Sequence, residues 1–221
     1  MQTLRKIQAR KFLLGAAALF CGLVAGHAQA NLILTAGPGG GNAGTDNVIF
    51  NACGTSGGPS TLIQGCLNTN HATLVNFTGT EDLVVAGGGQ ARIEGADGAF
   101  DAVTIAFDNP SLGFSTLIFN LDAIADGTAT FQGVDQFGTV FNFGTFDLDG
   151  NGQNFFRMSS ADGQVARSFS LVSTVPIQNI FDLQQVRLGA ANIVPEPGSL
   201  ALLGIGLLGL AGLTRRRNAS R

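Results

Sequence analysis

Residues capable of chemistry are few in this chain, and the densest group is Asp147-Leu148-Asp149-Gly150-Asn151-Gly152-Gln153. A calcium loop offers oxygens from its first, third and fifth positions around a glycine-turned backbone, and closes with a bidentate Glu at the twelfth. Here the twelfth position is Met158. Asp147, Asp149 and Asn151 therefore read either as a weak Ca²⁺ site or as a hairpin turn with solvated acids. Cys53 and Cys66 are an even pair, and in an oxidising compartment such a pair reads as a disulfide. It would close a loop of about 14 residues, worth roughly 3 kcal/mol in the chain-entropy model. Free thiols, or a metal site drawing in His71, are the alternatives, although zinc favours closely spaced Cys pairs and more His.

Other combinations are weaker. His71 is the one histidine beyond residue 30, and no Gly-x-Ser-x-Gly turn presents a nucleophile to it. Glu81 and Asp82 are adjacent, so on a strand they point to opposite faces and make a poor glycosidase pair. Gly39–Gly44 spells GxGxxG, but no helix-forming sequence follows to aim an N-terminus at phosphate; it reads as a loop. The expectation is a non-enzymatic protein with no cofactor, calcium at the Asp147 loop being the one exception.

The elements that must position these residues are strands. Nothing between residues 31 and 190 keeps a helical apolar period beyond two turns. Short alternating or β-branched runs recur instead: NLILT, TLVNF, DLVVA, AVTIAF, FSTLIFNL, TATFQG, TVFNF, ARSFSLV and IFDLQQVRLG. Residues 128–132 alternate polar and apolar, as a strand with one wet face does. Asp97-Gly98, Asp126-Gly127, Asp149-Gly150, Asn151-Gly152 and Asp162-Gly163 are dipeptides that suit tight hairpins, because they tolerate positive φ. The pattern predicts an all-β ectodomain over 31–190, an antiparallel β-sandwich or jelly roll. Residues 36–60 are Gly-rich and predict loop with one or two edge strands. The abundant Phe is most simply core. There is no Trp or Tyr, the usual platforms for sugar, which leaves hydrogen-bonded readout by Asp, Asn and Gln.

Charge is divided unevenly. From Asn31 to Val194 there are 14 Asp or Glu against Arg92, Arg157, Arg167 and Arg187 and no Lys, a net of −10, although the whole chain sums to −3. So acidic an ectodomain excludes nucleic acid as a partner and disfavours anionic lipid surfaces.

The positive charge sits at the ends. Arg5, Lys6, Arg10 and Lys11 precede the apolar FLLGAAALFCGLVAG, and Ala28-Gln29-Ala30 supplies the small residues of a cleavage site. Residues 1–30 read as a secretory signal peptide for signal peptidase. At the other end Val194-Pro195-Glu196-Pro197-Gly198-Ser199 leads into an apolar segment, 200–214, followed by Arg215, Arg216 and Arg217. Fourteen uncharged residues from Leu200 to Leu213 make roughly 21 Å of helix, short for a bilayer core of about 30 Å. Arginines beyond an apolar run stay cytoplasmic, and their side chains snorkel to lengthen a short span. Residues 200–214 thus predict a single transmembrane helix, 215–221 a basic cytoplasmic tail, and 191–199 a linker that the prolines keep extended.

Proline-Glu-Pro, a Leu/Gly-rich span and an arginine cluster, in that order at the C-terminus, resemble the PEP-CTERM sorting signal of Gram-negative bacteria. The resemblance covers Val194 to Arg217 and implies recognition of Pro195, Glu196 and Pro197 by exosortase, a membrane cysteine protease. It further implies transient inner-membrane anchoring, cleavage near the motif, and release to the cell surface or exopolysaccharide matrix. It implies nothing about the ectodomain. Three functions stay open for that domain: a structural matrix or exopolysaccharide-associated component, a Ca²⁺- or carbohydrate-binding adhesive module, and a hydrolase.

Overall fold

The computed structural model describes residues 32–37, 44–53, 57–87, 90–161, 163–175, 180–193 and 204–206. The signal peptide, Pro195, Glu196, Pro197, the basic tail and all but three residues of the apolar span lie outside them. Gly204–Gly206 form a helical turn. Among the described residues no helix is long and apolar enough to cross a membrane.

Twelve strands are formed by the described residues: β1 (Leu32–Ala36), β2 (Asp46–Ile49), β3 (Ser60–Leu67), β4 (Asn70–Val85), β5 (Arg92–Gly95), β6 (Ala102–Phe107), β7 (Leu112–Ala123), β8 (Gly127–Asp135), β9 (Val140–Leu148), β10 (Gln153–Ser160), β11 (Ala166–Val175) and β12 (Ile180–Asn192). Every pairing between them is antiparallel. The hydrogen-bonded order is β1-β10-β7-β12-β2-β3-β4-β6-β11-β8-β9, with β5 bridging β12 and β4. One layer is β1-β10-β7-β12 with β5, and the other is β3-β4-β6-β11-β8-β9. The short β2, in the Gly-rich segment expected to be mostly loop, joins the layers by pairing with both β12 and β3.

Phenylalanine fills the space between the layers. Phe119 of β7 stacks on Phe156 of β10 and meets Phe131 of β8 and Phe169 of β11 across the sandwich, at 5.3, 5.8 and 5.4 Å between ring centres. Phe131 and Phe156 face each other at 4.7 Å. Phe77, Phe100, Phe114, Phe119, Phe156 and Phe169 are fully buried, each contributing roughly 1.5–3 kcal/mol through area removed from water. The expected all-β sandwich is the observed architecture, and its core is the expected one.

The connections differ from expectation. Asp97-Gly98 joins β5 to β6, Asp126-Gly127 joins β7 to β8, Asp149–Gly152 joins β9 to β10, and Gly163 lies between β10 and β11. None of these strand pairs is hydrogen-bonded together among the described residues. The dipeptides turn the chain between layers or past a neighbour rather than closing hairpins. The tight hairpins lie elsewhere. Asn68-Thr69 links β3 to β4, held by Thr69 N donating to Asp46 Oδ2 at 2.8 Å. Gln136–Thr139 links β8 to β9 over the buried Asp135, whose Oδ1 accepts from Phe137 N and Thr139 N. TLVNF and DLVVA are two parts of the single strand β4, which pairs first with β3 and β6 and then with β5. β12 continues through Asn192, and Ile193 N donates to Ser111 O at 2.9 Å, so pairing runs two residues beyond the boundary at 190.

Candidate binding face

Alternation along a strand sends successive side chains to opposite sides. With Phe131, Phe169, Ile105 and Phe77 in the core, their neighbours on β8, β11, β6 and β4 must face out. Register then lines up Asn142, Gln132, Ser170, Thr104 and Thr78 across β9, β8, β11, β6 and β4. All five are uncharged hydrogen-bonding residues, and each is exposed or half-buried. Gln132 Nε2 donates to Asn142 Oδ1 at 3.0 Å, and the Thr104 and Ser170 hydroxyls lie 2.9 Å apart. A second row one pleat away carries Asn76 and Gln64, where Gln64 Nε2 donates to Asn76 Oδ1 at 2.8 Å.

A groove of about 360 Å³ opens in this face between Thr130, Gln132, Asn142, Gly144, Ser170 and Val172. Its wall is shaped by a bulge: the register between β8 and β9 slips after Phe131, opposite Gly144. Gly144 has φ +86°, a conformation glycine adopts without a Cβ penalty, and the place of its missing Cβ is open space. Donors and acceptors line the groove, Val172 adds an apolar wall, and among the described residues no charged side chain enters it. That is the chemistry of a site for a neutral, hydroxyl-rich ligand.

The outer face of the other layer is built differently. There Phe155, Asn120, Gln184 and Arg92 fall in one row, and Gln153, Asp122, Asp182 and Glu94 in the next. Asp182 is fully buried and accepts from Arg92 Nε at 2.8 Å; Arg92 Nη2 also meets Glu94 at 3.1 Å. Burial pushes the Asp182 carboxyl above its ordinary range, and Asp122 adds to the rise, against the pull of the Gln184 and Arg92 side chains. Asn120 is fully buried, and among the described residues neither of its side-chain polar atoms has a partner. Just past the Gln184 row β12 carries a bulge at Gln185, φ +53°, whose N–H bonds to Ala91 O. The bulge falls where β12 changes partner from β5 to β2.

Of the residues singled out in the sequence, Cys53 and Cys66 form the expected disulfide, with Cα atoms 5.5 Å apart. Asp147 is the last residue but one of β9, and Asp149 and Asn151 lie in the turn to β10; all three are exposed. Asp149 Oδ1 accepts from Asn151 N at 2.8 Å, Asn154 Oδ1 accepts from Asp149 N, and Asp126 Oδ1 accepts from Gly150 N. One oxygen expected to face a cation thus caps the turn. Among the described residues no three His, Cys, Asp or Glu side chains are grouped to hold a metal. His71 is exposed at the start of β4, and Glu81 Oε1 accepts from Asp101 N. The groove residues were missed except through TATFQG, whose wet face is Thr128, Thr130 and Gln132.

Residues 194–217 match the family model described as the PEP-CTERM protein-sorting motif. The tail is therefore a sorting motif, one that implies exosortase-dependent sorting of an exported protein to the cell surface. No curated protein matches the chain in sequence. Among solved structures the fold is similar to family 29 carbohydrate-binding modules. A CBM29-2 mutant is 13% identical, with 73% of this chain and 93% of that chain covered and a TM-score of 0.38. CBM29_1 from Piromyces equi is 15% identical, with 73% and 91% covered and a TM-score of 0.27. Scores this low carry no information about a ligand.

Proposed function

We propose that this is a non-enzymatic exported protein, held briefly in the inner membrane by its closing helix, cleaved by exosortase near Pro195-Glu196-Pro197, and released to associate with exopolysaccharide at the surface of a Gram-negative cell. The carrying observation is the sorting motif at residues 194–217. The disulfide fits an oxidising compartment. The neutral groove on the β8 face supports association with a polysaccharide rather than a purely space-filling role. No cofactor enters the reading, because a bed of amides and hydroxyls binds hydroxyl-rich chains by itself.

The test is intact mass and fractionation of the native protein in strains with and without exosortase. The expected product starts at Asn31, lacks the Leu/Gly-rich segment and is found outside the cell only when exosortase is present. A full-length tail held in the inner membrane of both strains would make the segment a permanent anchor and overturn the proposal.

A further inference from the structure

The row of uncharged side chains is longer than the groove. The groove is lined from β8, β9 and β11, whereas the row continues through Thr104 on β6 to Thr78 on β4. Four strand spacings of about 4.8 Å make it roughly 19 Å from Asn142 to Thr78. Both ends are open. β9 is the last strand of its layer, and beyond Thr78 the register reaches only Leu62, an exposed apolar residue on β3.

We infer that this row takes an internal stretch of a neutral polysaccharide lying across the strands, with the groove at Gln132 and Asn142 as its deepest subsite. The inference rests on the reading of an exopolysaccharide-associated protein and names the glycan class and the binding mode. Hydroxyls of Ser170, Thr104 and Thr78 both donate and accept, as sugar hydroxyls do, so they match a ligand whose groups point either way. The bond from Gln132 Nε2 to Asn142 Oδ1 leaves the Gln132 carbonyl as an acceptor and the Asn142 amide as a donor toward the groove. A polyanion finds no cation on the row, and the net −10 of the ectodomain repels it. A site reading chain ends would need a wall at one end of the row, and among the described residues neither end has one.

The test uses the protein purified from its host, from medium or membranes according to where it resides. It is run by affinity electrophoresis through gels containing the host's own exopolysaccharide, hydroxyethylcellulose, galactomannan, xylan or alginate. Calorimetry follows with an oligosaccharide series cut from the polymer that retards it most. A neutral polymer is expected to retard the protein and alginate to leave it unretarded, with affinity rising along the series until the row is filled. Gln132→Ala is expected to weaken binding about 10-fold, and Thr104→Val and Thr78→Val about 3-fold each, with unchanged circular dichroism and melting. Affinity independent of length, or unaffected by Thr104→Val and Thr78→Val, overturns the extended site and leaves polysaccharide association standing. Stronger retardation by alginate overturns the neutral assignment. No retardation by any polymer overturns both the inference and the polysaccharide association, while surface sorting is judged separately by fractionation.

Discussion

On the outside of the β7 layer, Asn120 sits in register between Phe155 and Gln184 and is sealed from solvent. On the outside of the β8 layer, Gln132 sits in register between Asn142 and Ser170 and is exposed. The same alternation put both side chains outside, yet the two faces work differently. Three of the ectodomain's four arginines, Arg92, Arg157 and Arg187, lie on the first face, with Glu94, Asp122 and the buried Asp182 beside them. The second has no charge in its row, Asp108 accepting from Gln64 and Asn76 in the row beside it, and its polar groups stay exposed or half-buried. A buried polar group costs free energy unless partnered, whereas an exposed one is solvated until a ligand displaces the water. The first face holds its polar groups inside the fold, and the second keeps them at the surface, where the proposed glycan would meet them.

The largest expected effect separates them by stability. Arg92→Ala leaves Asp182 buried without its cation and should cost about 3 kcal/mol, the low end for a broken buried pair because Arg92 is itself half exposed. Gln132→Ala should shift denaturant unfolding by less than about 0.5 kcal/mol. Similar losses for the two would erase the distinction. Next, Asn120→Leu replaces two unpartnered polar atoms with an apolar side chain of similar size and should stabilise the protein by about 1 kcal/mol. Destabilisation would mean that Asn120 has partners in solution.

The pH dependence is smaller but directional. A carboxyl raised above its unfolded value binds protons more tightly in the folded state. Asp182 therefore contributes stability that is fully present below the ordinary Asp value of 3.8 and is lost as pH rises through its raised folded value. Measured from pH 3 upward, wild-type stability minus that of Asp182→Asn should fall across that window. A flat or rising difference would show that Arg92 outweighs burial. Gly144→Ala should cost a modest amount of stability: the space is open, so only the strain at φ +86° remains, about 1 kcal/mol. Its consequence for glycan retention should exceed its consequence for melting.

Much of the layer structure was legible because a strand's period of two is local. AVTIAF, TATFQG and ARSFSLV each announced an inner and an outer side, and the runs of Phe announced the core. β10 was not legible: Asn154-Phe155-Phe156-Arg157-Met158 sits behind a segment that reads as a calcium loop or a hairpin, and Phe155 breaks the alternation by facing outward. The turn dipeptides were misleading for a related reason. Asp-Gly and Asn-Gly report only that the backbone can reverse, and whether the reversal pairs its two flanking strands depends on which layer the next strand joins.

From residues alone came the β class, the pairing of the two available cysteines and the sorting tail, since each depends on composition or on neighbours in sequence. Which faces meet was decided only in three dimensions. Arg92 finds Asp182 across 90 residues, and the proposed glycan row gathers Thr78, Thr104, Gln132, Asn142 and Ser170 from five strands. Strand register is set by long-range packing of the Phe core between the layers, and no local pattern in the chain carries that information.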